Sequence, residues 1–233
     1  EARQLVWESP YDYANQALLY VPQGIGEPAG ADFPRRMAEA IAPLLQANEG
    51  RAFVLCTTLR MVERLAALLG ERLAGAQPEI ELLVQGSASR AELLERFRRA
   101  RAPVLVGSAS FWEGVDVPGR QLSLVVIDKL PFAPPDDPVL RARIEAMRRE
   151  GGDPFRSLQL PAAAMALKQG AGRLIRSETD RGVLVVCDQR LAEKSYGRTL
   201  LRSLPPFRRT RSPVEALAFI EAIGQGCGQT SAG

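Results

Sequence analysis

Leu122-Ser123-Leu124-Val125-Val126-Ile127 runs directly into Asp128-Lys129. Its last four residues are all apolar and three of them are β-branched, which suits an extended strand with both faces buried. A strand buried on both faces belongs to a parallel sheet covered by helices on either side. Working outward, short runs of the same character recur at 17–21, 52–56, 81–84, 104–107 and 183–187. Between and after them lie helical patterns at 34–47, 59–73, 89–100, 137–150, 160–176, 189–203 and 213–223. In 59–73 the apolar residues Met61, Val62, Leu65, Leu68 and Leu69 share one face, and Ser89 followed by Glu92 opens the next helix with a capping box. The alternation predicts one α/β domain over 1–223, a parallel sheet flanked by helices on both faces, with a flexible tail at 224–233. A stretch rich in proline and charge at 131–160 is read as a helical excursion before the last strand, and Pro43 is expected to start or bend the first long helix.

The chain has 233 residues, 46% of them hydrophobic, and a net charge of +3, enough apolar content for a sizeable core and only a mild basic bias. Its positive charge is nearly all arginine, since Lys129, Lys168 and Lys194 are the only lysines. No apolar run is long enough to span a membrane and the polar start is unlike a signal peptide, so a cytoplasmic location with no membrane partner is expected. Cys56, Cys187 and Cys227 are too far apart for a metal site, and Cys56 and Cys187 read as buried, inert thiols. Histidine is absent, which excludes Ser-His-Asp and Cys-His catalysis and histidine-ligated metal; no metal site is expected in this chain.

Polar residues close each apolar run: Thr57-Thr58, Gln85-Gly86, Ser108 with the stretch to Asp116, and Asp128-Lys129. Ligands of such sheets gather beyond the carboxyl ends of the strands, so these residues are expected to form one phosphate-friendly rim. Gln169-Gly170-Ala171-Gly172-Arg173-Leu174-Ile175-Arg176 would join it. On a continuous helix, Gln169, Arg173 and Arg176 fall at i, i+4 and i+7 and form a stripe whose guanidinium forks match phosphate oxygens, with Gly170 and Gly172 leaving room for a close approach. Plainer readings stand beside these: a solvated basic helix face for the arginines, a helix cap for Thr57-Thr58, a turn with Pro118-Gly119 for Asp116.

Taken in order, these stretches resemble the C-terminal RecA-like motor domain of superfamily 2 DNA helicases of the DinG/YoaA group, relatives of XPD. Phe53 to Thr58 resembles helicase motif IV, Ser110 to Gly119 motif V, and Gln169 to Arg176 motif VI, Q-x-x-G-R-x-x-R; the stretch Asp128 to Pro138 is also similar to this group. The resemblance covers roughly 9–205. It implies that Arg176 and Arg173 act as arginine fingers on ATP, with Gln169 positioning nucleotide or water. It also implies that Gly114 and Asp116 couple the nucleotide to the strand-binding surface, with Glu113 nearby as a second coupling carboxylate and Gly172 beside the nucleotide, and that Thr57, Thr58, Gln85 and Ser108 hold phosphates of single-stranded DNA. ATP with magnesium, single-stranded DNA and translocation from 5′ to 3′ follow from the same resemblance.

A helicase also needs the phosphate-binding loop G-x-x-x-x-G-K-[ST], and this sequence has none. The expectation is therefore a second motor domain that works against the N-terminal RecA-like domain of a longer polypeptide. The nucleotide and any iron-sulfur cluster would then sit mainly on that other part. The competing reading is a non-enzymatic nucleic-acid-binding module of the same fold.

Overall fold

The computed structural model describes residues 9–108, 111, 117, 121–134 and 137–226. Among the described residues seven strands form one sheet: β1 (Ala17–Tyr20), β2 (Ala52–Cys56), β3 (Glu81–Val84), β4 (Pro103–Ser108), β5 (Leu124–Ile127), β6 (Gly182–Val186) and β7 (Arg208–Thr210). Their order is β3-β4-β2-β5-β6-β1-β7 and every pairing is parallel. The expected α/β architecture is what forms.

Alternation along the strands builds two cores. In β5, Leu124 and Val126 face one side, where they join Met37, Ile41, Leu65 and Leu69; Val125 and Ile127 face the other, with Leu93, Phe97, Leu167 and Leu174. The first side is covered by α2 (Phe33–Ala47), α3 (Leu59–Leu73) and α9 (Pro213–Gly226), the second by α4 (Arg90–Arg99) and α6 (Leu160–Ala171). Each large side chain buried in this way contributes about 1.5–3 kcal/mol.

α2 runs through Pro43 without a break, with Phe33 as its first residue, where the sequence suggested a start or bend at the proline. Pro43 lies on the exposed side, and Ile41, Leu44 and Leu45 pack fully on either side of it, which offsets the lost hydrogen bond. The run at 189–203 splits into α7 (Arg190–Glu193) and α8 (Gly197–Ser203). A short α1 (Tyr13–Gln16) and the edge strand β7 carry no apolar pattern of their own and were not expected. In the excursion, α5 (Pro138–Arg149) is capped by Asp137, whose carboxylate accepts the amides of Val139 and Leu140 at 2.8 and 2.9 Å, and none of its residues is buried. A π-helical turn (Phe155–Gln159) leads back into α6. No helix among the described residues is long and apolar enough to cross a membrane.

Candidate functional site

The largest departure from expectation is the end of α6. The helix stops at Ala171, so Gln169, Arg173 and Arg176 do not share one helical stripe. The amides of Arg173 and Leu174 bond back three residues, to Gly170 and Ala171 at 3.1 Å each, which tightens the chain into a turn. Leu174 and Ile175 then bury themselves in the core, and residues 176–181 form a loop into β6. An added Cβ at Gly172 would make only ordinary contacts, the nearer at 3.4 Å, and its φ is negative, so the fold itself does not require glycine there.

That loop is at the opposite end of the strands from the strand-end hydroxyls. A helix preceding a parallel strand delivers its C-terminus to the amino end of that strand. Gln16, just before β1, bonds the loop from beside the amino end of β6, where Ala17 pairs with Gly182. Thr57, Gln85 and Ser108 lie at the carboxyl ends of β2, β3 and β4. The single rim expected from sequence is therefore two rims, separated by the five residues of β6, or roughly 16 Å.

The amino-end rim carries Gln169, exposed, with Arg173 and Arg176, both half-buried. The loop after Arg176 is shaped by buried groups. Asp180 accepts the amides of Arg176 and Ser177 on one oxygen at 2.8 and 2.9 Å. Tyr11 donates its hydroxyl to the carbonyl of Arg176 at 2.8 Å, and the Gln16 amide donates to the carbonyls of Ser177, Glu178 and Asp180 at 2.9–3.0 Å.

The carboxyl-end rim is stitched from loop to loop. Ser108 donates its amide to Gln85 Oε1 at 2.6 Å, joining β4 to β3. Asp128, after β5, accepts both the amide and the hydroxyl of Thr57 on Oδ2, at 3.0 and 3.1 Å, and the Lys129 amide on Oδ1 at 2.7 Å. Asp188, after β6, accepts the Leu130 amide at 2.9 Å and is held by the Arg190 guanidinium at 2.6 Å. Thr58 caps α3 by accepting the Met61 amide at 3.2 Å, while Thr57 bonds across to Asp128. Glu113, Gly114 and Asp116 lie outside the described residues. Cys56 and Cys187 are buried, and burial pushes both thiols upward, which keeps them protonated.

Sequence reasoning missed the supporting groups Tyr11, Gln16, Asp180, Asp188 and Arg190. Asp128 and Asp188 did leave a signal, since each is the first charged residue after an uninterrupted apolar strand. Burial pushes Asp128 up to about 6, against the pull of the Thr57 and Lys129 donors and the Lys129 charge. A carboxyl whose pKa is higher folded than unfolded binds its proton more tightly in the folded state. The contribution of Asp128 to stability is therefore fullest below about pH 4 and is lost as the pH rises through about 6. Urea unfolding of wild type and Asp128→Asn at a series of pH values should give a difference that falls over this window; a rising difference would refute the assignment.

The chain belongs to the helicase C-terminal domain family, whose pattern matches residues 41–207. It is 48% identical over 220 residues to the ATP-dependent DNA helicase YoaA of Escherichia coli K12, covering 94% of this chain and 34% of that one. It is 39% identical over 219 residues to the ATP-dependent helicase DinG of Mycobacterium tuberculosis H37Rv, covering 93% and 32%. The chain thus spans about a third of the length of these curated relatives. Among solved structures, an XPD helicase superposes with a TM-score of 0.54 at 18% identity, over 84% of this chain and 35% of that one, which supports the RecA-like fold.

Proposed function

We propose that this domain is the second motor half of an ATP-dependent DNA helicase that moves along single-stranded DNA. In this reading the amino-end rim faces ATP held by a phosphate-binding-loop domain elsewhere in the polypeptide. Arg176, with Arg173, stabilises charge on the γ-phosphoryl group, and Gln169 orients nucleotide or water. ATP and its magnesium supply the phosphoryl chemistry when bound; this chain contributes the guanidinium forks and the loop that aims them. By their place in the sequence motifs, Gly172 belongs to the nucleotide side, and Gly114 and Asp116, with Glu113, couple the nucleotide to the strand-binding surface. Thr57, Thr58, Gln85 and Ser108 hold DNA phosphates at the carboxyl-end rim, independently of base sequence.

The observation that carries this reading is the separation of the two rims. The arginines follow the end of α6 at the amino ends of the strands, the hydroxyls and amides lie at the carboxyl ends, and short buried strands join them. A motor half needs that layout, because nucleotide must bear on one side while the strand is gripped at another. The test is ATP hydrolysis by the full-length gene product and by residues 1–233 alone, each with and without single-stranded DNA. The expected result is DNA-stimulated turnover by the full-length protein and none by the isolated chain. Turnover by the isolated chain at the same rate would overturn this division of labour.

A further inference from the structure

Residues 9–16 precede the first strand, yet they provide four hydrogen bonds to a loop more than 160 positions away. Of the carbonyls in the turn, those of Arg176, Ser177, Glu178 and Asp180 are all bonded by just two side chains, Tyr11 and Gln16. Gln16 is 5% exposed, and its amide nitrogen sits within 3.0 Å of three carbonyl oxygens. The reverse amide orientation would set oxygen against those three oxygens, so the side chain is committed to this loop. Among the described residues its own Oε1 is buried without a hydrogen-bond partner, a cost that leaves the nitrogen to gather the turn. Tyr11 is fixed in its turn by an edge-on contact with Tyr13 at 5.6 Å, and Tyr13 by Phe207 at 5.8 Å.

We propose that Gln16 and Tyr11 are positioning residues for Arg176, so that the segment leading into β1 sets the geometry of the arginine at the nucleotide. The inference rests on the reading of Arg176 given above. Asp180 fixes the amide side of the same turn and the leading segment fixes its carbonyl side, so the Arg176 backbone is held from both directions. A displacement of residues 9–16 is then a displacement of Arg176. In a motor whose two halves move relative to each other, that connection makes the setting of the arginine depend on the path of the chain into this domain.

The test uses the full-length protein and steady-state ATP hydrolysis with saturating single-stranded DNA. Gln16→Glu places negative charge against three carbonyls and is expected to lower kcat about 10²-fold, as misplacement of a catalytic group by about an ångström does. Tyr11→Phe removes one hydroxyl from a half-buried ring and is expected to lower kcat about fivefold while leaving the folded state intact. In both, KM for ATP and affinity for DNA stay within about twofold of wild type. Combined with Arg176→Lys, neither substitution lowers kcat further, because both act through the arginine already altered. The inference is overturned if Tyr11→Phe and Gln16→Glu leave kcat unchanged, or if their effects multiply fully with that of Arg176→Lys. Arg176→Lys alone leaving turnover intact would instead sink the reading of the arginine, which separates the two failures.

Discussion

On the proposed reading, Arg176→Ala in the full-length protein is expected to lower DNA-stimulated ATP hydrolysis by about 10³–10⁵-fold, the range by which an arginine finger accelerates phosphoryl transfer. The structure makes this substitution a clean one. Asp180 and Tyr11 hold the main chain of residue 176, through its amide and its carbonyl, so the loop keeps its anchors when the side chain is cut back. The loss is therefore that of the guanidinium, and thermal unfolding of the variant stays within about 3 °C of wild type. Arg176→Lys recovers little, since an ammonium is a point charge where a planar fork is needed. Turnover reduced by less than about tenfold would place Arg176 outside the reaction, because a group stabilising transferred charge is worth more than that.

The second large effect is on stability. Arg190→Ala leaves the Asp188 carboxylate, which has no solvent exposure, without its bidentate partner at 2.6–3.2 Å. Breaking a buried ion pair from this side costs about 3–5 kcal/mol, because the remaining charge can neither hydrate nor pair. For a chain of this size that lowers the melting temperature by about 10 °C. The asymmetry of the pair sharpens the expectation. Arg190 is 36% exposed, so in Asp188→Asn the guanidinium rehydrates and the loss is about half as large. Urea midpoints for the two variants decide the matter; an equal or larger loss in Asp188→Asn would show that the pair is not what holds the Leu130 turn.

How much of this could be read from sequence depends on how far each feature reaches along the chain. β2, β3 and α3 begin and end where the pattern places them, because their signals are local: apolar at every position for β2, a stripe with Thr58 at its head for α3. The end of α6 was not legible. Gly170, Ala171 and Gly172 are compatible with helix, and what turns the chain there is the burial of Leu174 and Ile175 and a set of bonds from Gln16 and Asp180. β7 was missed for the opposite reason. Arg208-Arg209-Thr210 has no apolar signal, which suits an edge strand and says little to a pattern reader. Composition found the candidate residues for phosphate, but assigning them to opposite ends of the sheet needed strand direction and the helix terminus together.

α5 leaves the body of the domain and returns to it at one place. Phe132 and Phe155 stand 5.6 Å apart, and Tyr196 closes the trio at 5.2 Å from Phe155 and 5.8 Å from Phe132. With that base pinned and no residue of α5 buried, the sheet is indifferent to what is carried between the two phenylalanines. Insertions or exchanges in the stretch between them are therefore expected to leave the folded sheet intact, whereas the same change in a buried connection would not.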